Sequence, residues 1–186
     1  MIKLIALCGA PGAGKTEVQA YLQKHYGVIP VDDGHPLRDF AVRHLGLTHS
    51  DVSTQDGKAS LRAFPGGRHM FVREALGELG NRIEEVFGPD AIPEMAYNWV
   101  IRNANRGWAS NECYCFGSVR RQQGRFYKSK GAVVVEIKRP GHEPVNEFDR
   151  YDASLADFTI NNDSSIEALN ARIEFHFGPM LRQHAH

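Results

Sequence analysis

Long apolar runs are absent from this chain: none of 18 residues occurs in its 186, so it holds no candidate transmembrane helix. Excess charge is absent as well. Lysine plus arginine number 22 and aspartate plus glutamate 22, for a net charge of zero. That balance argues against a broad electrostatic footprint on DNA or RNA, while leaving room for a small basic cleft. Cysteine is scarce. Cys8, Cys113 and Cys115 form an odd set inside apolar, strand-like segments, which favours buried free thiols over a disulfide or a metal site. Internal repeats and low-complexity tracts are missing, and "MIKLIAL" runs into a glycine-rich stretch rather than a cleavage site. The expectation is one well-buried α/β domain over 1–186 in the cytoplasm. No membrane and no stable nucleic-acid partner is expected, and a homodimer stays open.

What the chain does have is "GAPGAGKT", where Gly9, Gly14, Lys15 and Thr16 fit the P-loop pattern G-x-x-x-x-G-K-[ST]. Such a loop turns backbone N–H groups inward on an anion, and Gly9, Gly12 and Gly14 permit the backbone angles this needs. Ala10, Pro11 and Ala13 complete the cradle. Lys15 is placed to reach the β- and γ-phosphates of ATP, and the Thr16 hydroxyl to sit on Mg²⁺. Context supports the match. Ile2, Leu4, Ile5, Ala6 and Leu7 read as a buried parallel strand, and Val18, Tyr21, Leu22 and Tyr26 recur at helical spacing. The predicted activity is therefore nucleoside triphosphate binding. Arginine outnumbers lysine 15 to 7, which suits bidentate phosphate recognition or reflects base composition.

Further along, strands and helices alternate. "VIPVDD" reads as a strand ending in Asp32 and Asp33, and "HPLRDFAVRHLG" as a helix with Pro36 at its start and Gly46 as its stop. Residues 47–67 are polar and read as a long, mobile loop. Two helical patterns follow, with Val72, Leu76 and Leu79 on one face of the first. "NECYCFGSV" is a strand and "RRQQGRFYKSKG" a basic helix. "AVVVEIKRPG" is a strong strand signal with a Pro-Gly stop. "ADFTINND" is a last short strand before a closing helix, capped by Ser164 or Ser165 and buried along Ile166, Leu169, Ile173 and Phe177. The alternation predicts a parallel sheet covered by helices, with the ligand at the C-terminal ends of the strands.

The ordered set of "PLRDF", "REALGELGNR", "NWV", "SVR", "GAVVVEIKRPG" and "DFTINNDSSIEAL" around the P-loop resembles the phage-type deoxynucleoside monophosphate kinases. The resemblance implies a three-layer P-loop NTPase fold, with an acceptor-binding helical insertion at about 36–108 and a lid at about 138–150. It also implies Mg²⁺-dependent transfer of the ATP γ-phosphate to a nucleoside monophosphate. On this pattern Arg38 and Arg73 lie close to the acceptor, Arg139 begins the lid, and Asn161 and Asn162 contact adenine, unless the asparagines form a plain turn. Arg120 follows a strand's C-terminal end, at the mouth of the sheet. Arg82 is a weaker acceptor candidate: on one unbroken helix it faces opposite to Arg73, so it requires a break at Gly80-Asn81.

Asp32 and Asp33 should point into the cleft, to accept a deoxyribose hydroxyl or hold a water on Mg²⁺, with a turn role as the alternative. Asp33 joins Thr16 as a metal candidate. Trp99 can stack on the acceptor base or belong to the core. One departure stands out: Ser118-Val119-Arg120 replaces the Asp-Val-Arg of the resemblance, which removes a charge from the expected metal site. The alternatives are a small-molecule kinase of dephospho-coenzyme A type and a catalytically weak nucleotide-binding module.

Overall fold

The structure, a computed structural model, describes residues 3–104, 112–144 and 147–182. The far end of the expected insertion, residues 145–146 of the expected lid, and the tail histidines lie outside them. Five strands form a parallel sheet in the order β2-β5-β1-β6-β7. They are β1 (Lys3–Cys8), β2 (Ile29–Val31), β5 (Cys113–Val119), β6 (Val133–Lys138) and β7 (Phe158–Asn161). The central strand β1 pairs with β5 on one side and β6 on the other. The two crossovers leave β1 in opposite directions, which opens a crevice at its C-terminal end.

Alternation along β1 divides the core into two layers. Ile5 and Leu7 face α1 (Lys15–Tyr26) and α8 (Ile166–Arg182), packing with Val18, Leu22, Leu169, Ile173 and Phe177. Leu4, Ala6 and Cys8 face the other way, onto α6 (Ala91–Ala104) and α7 (Gln123–Ser129), through Ala96, Val100, Phe126 and Tyr127. A sheet buried on both faces is what the continuous apolar run in β1 requires. The three cysteines are free and buried. Burial pushes the Cys8 and Cys113 thiols up to about 12, so they pack as small apolar groups. At α8 the cap is Ser165, whose hydroxyl accepts from Ala168 N–H at 3.3 Å. Ile166, expected on the buried stripe, is 47% exposed in the first turn.

The segment expected as a long mobile loop is built. It forms α3 (His49–Ser53), α4 (Gln55–Lys58) and an antiparallel hairpin of β3 (Leu61–Phe64) and β4 (Arg68–Phe71). Leu47, Val52 and Phe64 bury against Ala41 of α2 (His35–His44) and Val72 and Ala75 of α5 (Val72–Phe87). Thr48 caps α3 in a capping box with Asp51, whose carboxylate also takes Arg62 at 2.6 Å. Tertiary burial and caps gave structure to a polar stretch with no periodicity of its own. Together α2 to α6 form the unit inserted between β2 and β5; α2 to α5 and the hairpin share a small core separate from the sheet's, while α6 packs on the sheet.

Candidate active site

The P-loop runs from β1 into α1, and Gly14 enters the helix in the left-handed region, at φ 107°. A side chain is strained there, and a Cβ on Gly14 would also stand 2.5 Å from the Asn162 amide. The Lys15 ammonium donates to the carbonyls of Gly9 at 2.6 Å and Ala10 at 2.9 Å. Burial, then the charge of Arg120, pull the Lys15 ammonium down to about 8. Pro11, Gly12 and Thr16 line the same cleft, together with Asp32, Ser118 and Arg139. The Arg139 guanidinium reaches the carbonyl of Gly12 at 3.3 Å, so the start of the segment expected as a lid touches the loop.

A second cavity adjoins the first, between the insertion and the ends of β2 and β5. It is lined by Asp33, Arg38, Lys58, Arg73, Arg120 and Asp149, with Leu37, Ile92 and Phe148 as an apolar wall. Arg38, Lys58, Arg73, Ser118, Arg120 and Asp149 border both cavities and so stand at their junction. Arg120 Nη1 donates to Asp149 at 2.8 Å, and Arg73 stands 3.9 Å from the same carboxylate. Arg73 also donates to Gln55 of α4 at 2.7 Å. Arg38 pairs with Asp32.

Asp33 is 1% exposed. One carboxylate oxygen accepts Ser118 N–H at 2.8 Å and the other the Tyr127 hydroxyl at 3.3 Å. Burial, followed by the charge of Asp32, raises its carboxyl to about 6. The candidate metal oxygens are therefore divided: Thr16 and Asp32 line the P-loop cleft, while Asp33 lines the second cavity. Mg²⁺ keeps waters and substrate phosphates in its shell and needs only one or two protein oxygens, so this donor set fits it. Among the described residues no three His, Cys, Asp or Glu gather into a larger metal site.

Behind Arg120 the backbone is under tension. Arg121 has φ 45°, a left-handed conformation that costs an arginine on the order of 1–3 kcal/mol. It is held there from several sides. Its N–H donates to Arg150 at 2.6 Å, its carbonyl accepts from Asp152 at 3.0 Å, and its guanidinium binds Glu84 at 2.6 Å and Asn81. Both Arg120 and Arg121 lie over the Phe148 ring, at 4.6 and 5.3 Å. The bent backbone turns Arg120 inward and ties the end of β5 to residues 148–152.

Two expected acceptor residues lie elsewhere. Helix α5 is unbroken through Gly80-Asn81, so Arg82 projects to solvent and pairs with Glu85. Trp99 is 47% exposed and lines neither cavity, because α6 turns Ile92, Ala96 and Val100 inward instead. Asn162 lines the cleft and donates to Ala13 at 2.9 Å, bracing the P-loop. Asn161 is exposed and its carbonyl accepts from Arg172. Lys58 and Asp149 were absent from the sequence-based candidates. Lys58 was hidden in a stretch read as loop, and Asp149 lies near the end of the expected lid with no motif to mark it.

No protein-family model matches the chain. A UPF0200 protein of Sulfurisphaera tokodaii is 27% identical over 193 residues, covering 94% of this chain and 95% of that one. Among solved structures, dephospho-CoA kinase from Campylobacter jejuni gives a TM-score of 0.56 at 12% identity, over 98% of this chain and 99% of that one. Shikimate kinase from Aquifex aeolicus gives 0.45 at 16% identity, over 95% and 97%. None of the three is named as a deoxynucleoside monophosphate kinase. The likeness is one of fold: an α/β protein with a parallel sheet flanked by helices, as in P-loop kinases.

Proposed function

We propose that this protein is an ATP- and Mg²⁺-dependent phosphotransferase acting on a small acceptor that itself carries phosphate. The observation behind the reading is the junction: Lys15 stands in the P-loop cleft, and Arg38, Arg73 and Arg120 border both that cleft and the adjoining cavity. Phosphoryl transfer consists mostly of positioning and charge neutralisation, and converging guanidiniums supply both. Mg²⁺, with the Thr16 hydroxyl among its ligands, would neutralise charge on the β- and γ-phosphates.

Two acceptors fit. In a nucleoside monophosphate, an oxygen of the acceptor phosphate attacks the γ-phosphorus, the bond to the β-phosphate oxygen breaks, and ADP leaves. Guanidiniums at the junction suit that case, since the acceptor's charge and its nucleophile then coincide. In a hydroxyl acceptor, of the kind a dephospho-coenzyme A kinase uses, the attacking oxygen loses a proton. Asp33 supports this second reading: a carboxylate raised to about 6 in the acceptor cavity can take that proton near neutral pH. The fold likeness to a dephospho-CoA kinase favours the second reading as well.

One assay separates them. ADP release is followed with each of the four deoxynucleoside monophosphates and with dephospho-coenzyme A, in the wild type and in Asp33→Asn. A hydroxyl acceptor predicts a loss on the order of 10²-fold or more in Asp33→Asn; a phosphate acceptor predicts a change within a few fold. Absence of ADP release with every acceptor would leave a nucleotide-binding module.

A further inference from the structure

The inserted arm of α3, α4 and the hairpin has no role in the reading above, yet it is firmly constructed. Its capping box, the Arg62–Asp51 pair and the buried Val52 and Phe64 fix α3 and the hairpin. Thr54 then caps α4 by accepting Gly57 N–H at 2.9 Å. Gly57 packs so closely on α3 that a Cβ would run into the backbone of Ser50 and Asp51. Such close backbone packing fixes where the next residue points. That residue is Lys58.

Gln55 and Lys58 are three apart on α4 and share a face. Gln55 accepts from Arg73, and Lys58 borders both the P-loop cleft and the acceptor cavity. Arg38, Arg73 and Arg120 each have a carboxylate partner, Asp32 or Asp149. No carboxylate lies within ion-pair distance of Lys58 among the described residues. Around the cavity four cations, Arg38, Lys58, Arg73 and Arg120, face three carboxylates, Asp33, Asp149 and the Asp32 paired with Arg38. The positive excess falls at Lys58, the cation without a carboxylate partner among the described residues, and suits a ligand that brings negative phosphate charge.

We infer that Lys58 is an acceptor-binding residue, delivered by the inserted arm to contact the acceptor's phosphate charge at the junction of the two cavities. The inference rests on the phosphotransferase reading for the identity of the ligand. Titration supports the geometry: burial, then Arg38 and Arg73, pull the Lys58 ammonium down to about 8, with Asp32 opposing and Arg120 adding to them. Glu74, Glu78 and Glu147 border the groove on its outer side and Asp149 its inner side. An anion among these cations restores the proton to Lys58, so binding near pH 8 takes up protons.

The test measures binding without ATP, by calorimetry, for each deoxynucleoside monophosphate and for dephospho-coenzyme A, at pH 7 and pH 9. Wild type, Lys58→Met and Lys58→Arg are compared, with circular dichroism to check the fold. The expected result is affinity about tenfold or more lower in Lys58→Met at pH 7, the size of one charge-assisted contact. Wild type should weaken several-fold from pH 7 to pH 9, while Lys58→Arg weakens clearly less, keeping only the part due to Lys15. Equal binding by Lys58→Met and wild type, the same pH loss in Lys58→Arg as in wild type, or no binding of any compound would overturn the inference. ADP release by the same proteins keeps the two readings apart. Turnover unaffected by Lys58→Met sinks the lysine and spares the kinase; Lys58-dependent binding without turnover does the reverse.

Discussion

Asp33 is a carboxylate sealed from water, and that has an energetic consequence of its own. Its folded value of about 6 lies above the ordinary 3.8. The ionised form is thus disfavoured by folding: the burden is absent below about pH 4, grows through the window between the two values, and is complete above pH 6. Asn can still accept Ser118 N–H and carries no charge. Asp33→Asn should therefore stabilise the protein above pH 6, by an amount on the order of 2 kcal/mol, or a Tm higher by about 5 °C. Thermal melts at pH 7.5 and pH 4 check this, and an equal difference at both would contradict the burial argument. Lys15 predicts the opposite pattern of effects. Lys15→Met should lower turnover on the order of 10²-fold or more and remove stabilisation by ATP, with unchanged circular dichroism. Near-normal turnover in a folded Lys15→Met protein would separate the loop from catalysis. At this scale the sequence was most legible in the P-loop, since eight contiguous residues hold its chemistry. Arg82 and Trp99 were misplaced because their direction depends on helix continuity and on which face α6 buries.

Helix α5 meets Phe148, near the end of the expected lid, at one narrow point. A Cβ on Gly80 would stand 2.6 Å from two atoms of the Phe148 ring, which is itself pinned under Arg120 and Arg121. Ala is the better helix former by about 1 kcal/mol, so a helix seen alone would gain from Gly80→Ala. Here the ring must move, and overpacking of this kind costs about 1–3 kcal/mol. The expected outcome is a lower Tm together with a raised KM for the acceptor and little change in the KM for ATP. A higher Tm would mean that the contact is loose. The sequence gives no hint of this pairing, because Gly80 and Phe148 are far apart in the chain and each sits in an unremarkable pattern. The arm between α2 and α5 was illegible for a related reason: Leu47, Val52 and Phe64 are isolated apolar residues whose burial follows from α2 and α5, not from spacing. Strands β1 and β6 were legible because burial on both faces imposes a short apolar run, which the P-loop after β1 and the β-branched residues and Pro-Gly stop of β6 mark as strand.

The whole molecule divides into a sheet with two buried faces and an insertion with its own small core. The arm should open without the sheet, because its core is small and separate. Hydrogen exchange should be faster over α3 to β4 than over β1, β5 and β6, and an acceptor that binds should slow the arm selectively. Uniform protection would show one cooperative unit instead. The order of the sheet has a further consequence, in the time domain of synthesis. The central strand β1 ends at Cys8, while its partners begin at Cys113 and Val133. On a ribosome adding roughly 5–20 residues per second, the central strand waits on the order of ten seconds for either neighbour. Throughout that interval its apolar residues and unpaired edges are available to chaperones, or to β1 of another nascent copy.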